Sequence, residues 1–319
     1  MKYYVGIDLG GTNIVAGVVD ENYNILVKES VKTNLPRPAE EVIADMIAVT
    51  KKAVESANLT MDQIESVGVG TPGTANKDTG IVEYSNNLQW NDVPLVEMLQ
   101  KGLNKTIYIE NDANAAAFGE YMAGAGKGYN SLIAITLGTG VGGGVITDGK
   151  ILTGFSYAGA ELGHSVIVAH GRKCTCGREG CLEAYTSATG LINLTKEAME
   201  ADKDSAMWEI CGGDINKVNG KTAFDGMRKG DAAGTKVVDD YIDYLAIGIA
   251  NYINIFQPQV ICIGGGICKE GDTLIKPLTE KVMPQTYARK PENRTKIIVA
   301  ELGNDAGIIG AALLGMEKK

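Results

Sequence analysis

Leu9-Gly10-Gly11-Thr12-Asn13 joins two β-rich runs, residues 3–9 and 13–20, through a glycine turn. The second half of the chain repeats this unit within residues 131–148, where the turn reads Leu137-Gly138-Thr139-Gly140. Two strand-turn-strand units, one early in each half, predict an internally duplicated α/β architecture. Both turns are expected to face one cleft, where a ligand would bind.

The rest of the chain alternates between strand-like and helix-like hydrophobic patterns, with a turn-rich stretch after residue 70. Apolar residues at steps of three and four predict long helices, and the small residues of the last helix allow it to pack closely against another element. The predicted strands are 24–32, 64–70, 107–110 and 260–263, and the predicted helices are 38–58, an alanine-rich helix from 112, 231–258 and 305–314.

The composition is that of an ordered protein with two domains: the chain has 319 residues, of which 45% are apolar and 22% charged. The net charge of -9 argues against a nucleic-acid partner, which needs a concentrated basic surface. The most apolar stretches, Leu245 to Phe256 and Gly307 to Gly315, are shorter than the roughly 20 residues of a membrane-spanning helix. The N-terminus lacks an apolar run of signal-peptide length, so a cytoplasmic location is expected.

The glycine turns are candidate phosphate sites. Asp8 precedes the first turn, whose backbone N–H groups and Thr12 hydroxyl are placed to surround phosphate oxygens, and Asp8 is predicted to hold Mg²⁺ through water. A tight hairpin with glycines at positive φ is the alternative. The second turn has five glycines within residues 138–144, which favours close approach of a ligand to the backbone.

A third glycine run follows the strand predicted at 260–263 and is expected to let an adenine or ribose approach, although a simple strand-to-helix turn explains it equally well. The predicted nucleotide contacts are Asp8, Gly10, Gly11, Thr12, Asn13, Gly138, Thr139, Gly140, Gly264, Gly265 and Gly266.

The cysteine spacing predicts a metal site. Cys174, Cys176 and Cys181 lie within eight residues, with His164 and His170 upstream. Three thiolates and one imidazole form a closed tetrahedral zinc site, which is structural because no coordination position is left open. Disulfides fit poorly because Cys174 and Cys176 are too close to pair and the expected compartment is reducing. The remaining cysteines, which lack such neighbours, are expected to be small buried hydrophobes: Cys211, Cys262 and Cys268.

Glu161-Leu162-Gly163-His164, followed by the spacing Cys174-x-Cys176-Gly-x-x-Gly-Cys181-x-Glu183, resembles the signature of the ROK family of repressors, uncharacterised reading frames and sugar kinases. The resemblance covers essentially the whole chain. One departure is Asn86, where many relatives have proline. Further matching stretches are Asp8-x-Gly-Gly-Thr12, Gly70-Thr71-Pro72-Gly73, Asn87-Leu88-x-Trp90, Glu110-Asn111-Asp112-Ala113-Asn114-Ala115 and Gly303-Asn304-Asp305-Ala306-Gly307.

The resemblance implies an α/β fold of the actin-like, ribonuclease H-like sugar-kinase type, with two lobes around a nucleotide- and sugar-binding cleft. The expected small lobe comprises residues 1–114 and 304–319, and the large lobe, with the zinc-binding loop, comprises 115–303. ATP, Mg²⁺ and a structural Zn²⁺ are the implied cofactors. The implied partners are a sugar and a nucleotide, with no nucleic acid and no membrane, and a homodimer or homotetramer is expected.

The resemblance also implies residue roles. Asp112 is the expected catalytic base, and its place beside the positive end of a helix is predicted to keep the carboxylate ionised at neutral pH. His164 is expected to bind zinc through one ring nitrogen and face the sugar with the other, which leaves His170 as an ordinary loop residue. A helix cap remains the alternative for Asn111, and surface charge for Glu161 and Glu183. The expected sugar contacts are Asn87, Asn111, Asp112, Glu161, His164 and Glu183.

The implied reaction is ATP-dependent phosphorylation of the 6-hydroxyl of glucose. A site of carboxylates and amides suits a hexose, which presents many hydroxyl groups. The alternatives are a kinase for fructose, mannose, N-acetylmannosamine or N-acetylglucosamine, with polyphosphate as another donor. A non-catalytic sugar-sensing member of the family is more distant, because the chain starts at its first strand without a helix-turn-helix domain and has no basic patch.

Overall fold

The computed structural model describes residues 1–288 and 290–317. They form two compact units. The first comprises Met1–Ala134, Gly143–Ala160 and residues 300–317, and the second comprises Ile135–Gly142 and residues 161–288 and 290–299. The lobe boundaries expected from the sequence stay a prediction.

The secondary structure alternates strands and helices along the chain. The strands are β1 Tyr3–Leu9, β2 Asn13–Asp20, β3 Ile25–Lys32, β4 Ile64–Thr71, β5 Thr74–Asn76, β6 Ile81–Ser85, β7 Trp90–Val93, β8 Thr106–Asn111, β9 Leu132–Leu137, β10 Val141–Thr147, β11 Lys150–Ile151, β12 Val260–Gly265 and β13 Lys296–Val299. The α-helices are α1 Ala39–Ser56, α2 Leu95–Leu103, α3 Asp112–Ala123, α4 Glu183–Thr186, α5 Ala188–Ala201, α6 Met207–Ile210, α7 Thr222–Arg228, α8 Ala232–Phe256, α9 Asp272–Val282 and α10 Ala306–Leu313.

The strands and helices predicted from periodicity are confirmed, with ends that differ by a few residues. The stretch after residue 70 contains a small antiparallel sheet of order β5-β6-β7 that the pattern did not indicate. These strands have three to five residues, too few to show a clear alternation. Within the described ranges, no helix has both the length and the apolar character needed to cross a membrane.

The first five-stranded sheet, of order β3-β2-β1-β4-β8, positions one set of candidate residues. β1, β2 and β3 are antiparallel neighbours, while β1, β4 and β8 run parallel. Asp8 pairs with Gly70, and Gly70 pairs with Glu110, so these residues form one row at the carboxyl ends of the parallel strands. Ligands of open α/β sheets bind at this edge.

The last helix packs closely on this sheet. A Cβ built on Gly68 of β4 would lie 1.8 Å from the carbonyl oxygen of Ala311 in α10, so a larger residue there would push the helix away. The close packing predicted for the final helix is therefore confirmed. The second five-stranded sheet has the order β11-β10-β9-β12-β13, in which β12 and β13 are parallel.

Candidate functional site

The turn between β1 and β2 has an open backbone. The N–H of Gly10 donates to the carbonyl of Asn13 at 2.9 Å, and the hydroxyl of Thr33 donates to the carbonyl of Gly10 at 2.7 Å. Neither Gly10 nor Gly11 has a positive φ, so the hairpin alternative does not explain the two glycines. A Cβ on Gly11 would meet no heavy atom within 4 Å, so the space beside it can accommodate a ligand.

Two carboxylates lie beside this turn in the same unit. Burial, followed by the charge of Asp112, raises the pKa of Asp8 from 3.8 to about 6. Burial also raises the pKa of Asp112, although the N–H of Ala113 donates to its Oδ1 at 2.8 Å and opposes the shift. Burial is the larger influence and sets the direction of this pKa shift, and the ionised state at neutral pH that the helix end predicts for Asp112 stays a prediction.

Asn111 is the N-cap of α3, as the alternative to sugar binding proposed. Its side-chain oxygen accepts hydrogen bonds from the N–H groups of Ala113 and Asn114, at 2.9 and 3.2 Å, and its Nδ2 donates to the carbonyl of Gly73 at 3.1 Å. Asn87 is exposed in the turn between β6 and β7. The roles of Asn87, Asn111 and Asp112 toward a sugar stay predictions.

The four predicted metal ligands come together in the second unit. The ligand atoms of His164, Cys174, Cys176 and Cys181 all lie within 4.8 Å of one another. His164 Nδ1 is 3.7 Å from the Sγ of Cys174, and the Sγ atoms of Cys176 and Cys181 are also 3.7 Å apart. Thiolate ligands of a tetrahedral zinc ion lie about 3.8 Å apart. The residues therefore fit a four-coordinate metal ion.

The remaining histidine and cysteines lie outside this cluster. His170 is an exposed turn residue with a φ of 57°. Cys211, Cys262 and Cys268 are buried, as expected for small apolar side chains.

Tyr252 of α8 fixes the short 3-10 turn that contains His164. Its hydroxyl donates to the carbonyl of Leu162 at 2.5 Å and lies 2.6 Å from the hydroxyl of Ser165. Burial raises the pKa of Tyr252 to about 12, so it remains a donor. The sequence pattern placed Tyr252 only on the apolar face of a helix, since the contact spans 90 residues and no local signal reports it.

The two predicted sugar-binding glutamates of the second unit differ in their surroundings. Glu161 is exposed and precedes the His164 turn, where its carbonyl accepts the N–H of His164 at 3.1 Å. Glu183 is half-buried, and its carboxylate accepts hydrogen bonds from the Thr175 hydroxyl and from the N–H of Val141, both at 2.9 Å. Surface charge therefore does not describe Glu183.

The second and third glycine runs border one cavity of about 400 Å³ in the second unit. A Cβ on Gly266 would meet no heavy atom within 4 Å, and one on Gly138 would meet only the Gly140 carbonyl oxygen, at 3.9 Å. Gly265, in contrast, has a φ of 96° and packs against the backbone of Leu137, which is a structural requirement. The volume and the open glycine backbone suit a nucleoside.

Several residues that line this cavity were not predicted from the sequence. Glu270 is nearly buried and pairs with Arg228, while Lys221 and Lys269 are exposed. Lys269 and Glu270 lie in the 3-10 helix Gly266–Glu270 that follows the third glycine run, and Lys221 immediately precedes α7. The full lining comprises Leu137, Gly138, Thr139, Ala188, Gly220, Lys221, Gly266, Ile267, Lys269 and Glu270.

Comparison with known proteins decides the family. The model of the ROK family matches residues 4–318. The chain belongs to the ROK family. A glucokinase from Thermotoga maritima is 40% identical to this ROK chain, over 98% of the chain and 97% of the relative.

Solved structures of the ROK family agree. A ROK family glucokinase from Streptomyces griseus, in complex with glucose and AMPPNP, superposes with a TM-score of 0.80 at 33% identity, over 98% of both chains. A ROK hexokinase from Thermus thermophilus superposes with a TM-score of 0.81 at 31% identity, over 98% of this chain and 97% of the other. The expected α/β fold of the actin-like sugar-kinase type is confirmed.

Proposed function

We propose that the chain is a glucokinase, which transfers the γ-phosphoryl group of ATP to the 6-hydroxyl of glucose. The observation that carries the proposal is the 40% identity to a glucokinase over nearly the whole of both chains. The nucleoside-sized cavity between two open glycine runs agrees with a nucleotide donor.

The donor is assigned to the glycine runs. The cavity would hold the nucleoside, with Gly266 on one side and Gly138 on the other, and the N–H groups of the turns would hold the phosphates. Asp8, whose pKa of about 6 leaves it ionised at neutral pH, would hold Mg²⁺. When bound, Mg²⁺ neutralises charge on the phosphates.

Activation of the sugar hydroxyl that accepts the phosphoryl group is assigned to Asp112. Its carboxylate would accept the proton of the sugar 6-hydroxyl as the new bond to the γ-phosphorus forms and the bond to ADP breaks. The raised pKa favours this role, because a stronger base takes a proton more readily. The remaining hydroxyls are assigned to Asn87, Asn111, Glu161, His164 and Glu183, which offer the donors and acceptors that a hexose needs.

The metal cluster is assigned to zinc. Cys-rich ligand sets of this geometry suit Zn²⁺, and four protein ligands leave no position for a substrate. With Nδ1 of His164 directed at the cluster, Nε2 would be left to contact a sugar hydroxyl. Elemental analysis is expected to find one zinc per chain, and the Cys176→Ser variant is expected to lose it. Absence of zinc from protein that was purified without a chelator would contradict the assignment.

Specificity is tested by a panel of sugars and donors under one coupled assay. Glucose is expected to have the highest kcat/KM among glucose, mannose, fructose, N-acetylmannosamine and N-acetylglucosamine, and ATP is expected to exceed polyphosphate. A higher kcat/KM for fructose or N-acetylmannosamine would replace glucose as the substrate without removing the kinase. Glucose binding without transfer from either donor would favour a sugar sensor instead.

A further inference from the structure

Glu183 contacts two different parts of the second unit. It is the first residue of α4 and follows the metal ligand Cys181 by two positions. Its Oε1 accepts the hydroxyl of Thr175 at 2.9 Å and lies 3.6 Å from the Sγ of Cys174, while its Oε2 accepts the N–H of Val141 at 2.9 Å. One carboxylate therefore joins the second glycine turn to the metal-binding loop, which carries Cys174, Cys176 and Cys181.

This contact explains Gly140. A Cβ at this position would lie 2.5 Å from Oε2 of Glu183, and Gly140 has no positive φ that would itself require glycine. The carboxylate occupies the space that a side chain would take. An alanine at 140 would displace the flexible end of Glu183 from Val141 rather than collide with backbone.

The same segment holds the turn at two further points. The N–H of Ala188 donates to the carbonyl of Gly138 at 2.8 Å, and the hydroxyl of Thr189 donates to the carbonyl of Thr139 at 2.9 Å. These bonds fix carbonyl groups, whereas Glu183 fixes an N–H group. The direction of the N–H groups decides how well such a turn receives phosphate oxygens.

We propose that Glu183 positions the second glycine turn and couples it to the metal-binding loop, in addition to its expected contact with the sugar. This rests on the proposed function, which assigns the turn to the donor phosphates. The Thr175 hydroxyl orients the carboxylate, and the carboxylate orients the backbone at Val141. Loosening of the metal loop is therefore transmitted to the turn.

The test measures AMPPNP affinity by calorimetry without sugar, because a residue that contacts only the sugar does not change this affinity. Glu183→Ala is expected to weaken AMPPNP binding about tenfold, the effect of losing a hydrogen bond to a charged acceptor. Glu179→Ala is the matched control, since Glu179 is an exposed carboxylate in the same loop. Its affinity is expected to stay within about twofold of wild type.

Two further variants test the coupling itself. Thr175→Val keeps all four metal ligands and Glu183, and is expected to weaken AMPPNP binding about threefold with unchanged zinc content. Gly140→Ala is expected to weaken binding in the wild-type background but to add little to Glu183→Ala, because the displaced carboxylate is then already absent.

Unchanged AMPPNP affinity in folded Glu183→Ala, together with weaker glucose binding, would overturn the proposal and leave Glu183 as a sugar contact alone. If Glu183→Ala does not fold, unchanged affinity in Thr175→Val overturns the coupling. A wild-type protein that binds no AMPPNP would overturn the proposed function, and this proposal with it.

Discussion

The turn between β1 and β2 and the turn between β9 and β10 have the same Gly/Thr pattern but different neighbours. The first lies beside two carboxylates with raised pKa values, Asp8 and Asp112. The carboxylates near the second are paired: Glu183 accepts a hydrogen bond from the backbone of the turn, and Glu270, which lines the same cavity, forms an ion pair with Arg228. The comparison suggests that the first region supplies charge for the reaction and the second holds the donor, so substitutions in the first should lower kcat and those in the second should raise KM.

The largest expected effect is that of Asp112→Asn. Asparagine can keep the bond from Ala113 but cannot accept the sugar proton, so kcat is expected to fall about 10²- to 10⁴-fold while glucose still binds. Steady-state kinetics and a glucose titration measure both quantities. Retention of more than about a tenth of the wild-type kcat would show that Asp112 only supports the helix end.

The second largest expected effect is that of Asp8→Asn on the free energy of unfolding. Because the folded-state pKa of Asp8 is raised from 3.8 to about 6, folding favours its protonated form, and the protein loses stability as pH rises through this range. Asp8→Asn removes the loss. The free energy of unfolding of the variant is expected to exceed that of the wild type by about 2–3 kcal/mol at neutral pH and to be almost the same near pH 4. Urea unfolding of ligand-free protein at both pH values measures this.

Asp8→Asn also tests the role of the first turn in the reaction, since the variant is expected to lose Mg²⁺-dependent phosphoryl transfer while it gains stability. A variant that is neither more stable at neutral pH nor less active would contradict both the raised pKa of Asp8 and its assignment to Mg²⁺.

Gly138→Val tests the second turn. The added side chain would fill the open space beside the backbone, so the ATP KM is expected to rise about tenfold or more with a smaller change in kcat. Normal ATP kinetics in a folded variant would mean that the turn is only a hairpin.

The smallest expected effect is that of Tyr252→Phe, which removes the hydroxyl that holds Leu162 and Ser165. The glucose KM is expected to rise about fivefold, the effect of one lost hydrogen bond, with unchanged zinc content and ATP KM. A change in zinc content or in ATP KM, without a change in glucose KM, would indicate a general loss of stability instead.

The sequence predicts the parts of this molecule that depend on short spacing. The glycine turns, the alternating strands and the Cys174 to Cys181 run are local patterns, and the structure forms those strands and brings the metal ligands together. The contacts of Glu183 with Val141 and of Tyr252 with Leu162 join residues 42 and 90 positions apart, so no local pattern reports them. The raised pKa of Asp112 depends on burial, which only the packed structure determines.

Phosphorus NMR of a reaction of the purified protein with ATP, Mg²⁺ and glucose tests the proposed phosphoryl transfer, because it shows where the γ-phosphoryl group goes. Equal amounts of ADP and glucose 6-phosphate are predicted, with no signal from another phosphorylated position. Unchanged ATP, inorganic phosphate alone, or a phosphoryl group on a hydroxyl other than the one at carbon 6 would contradict the account.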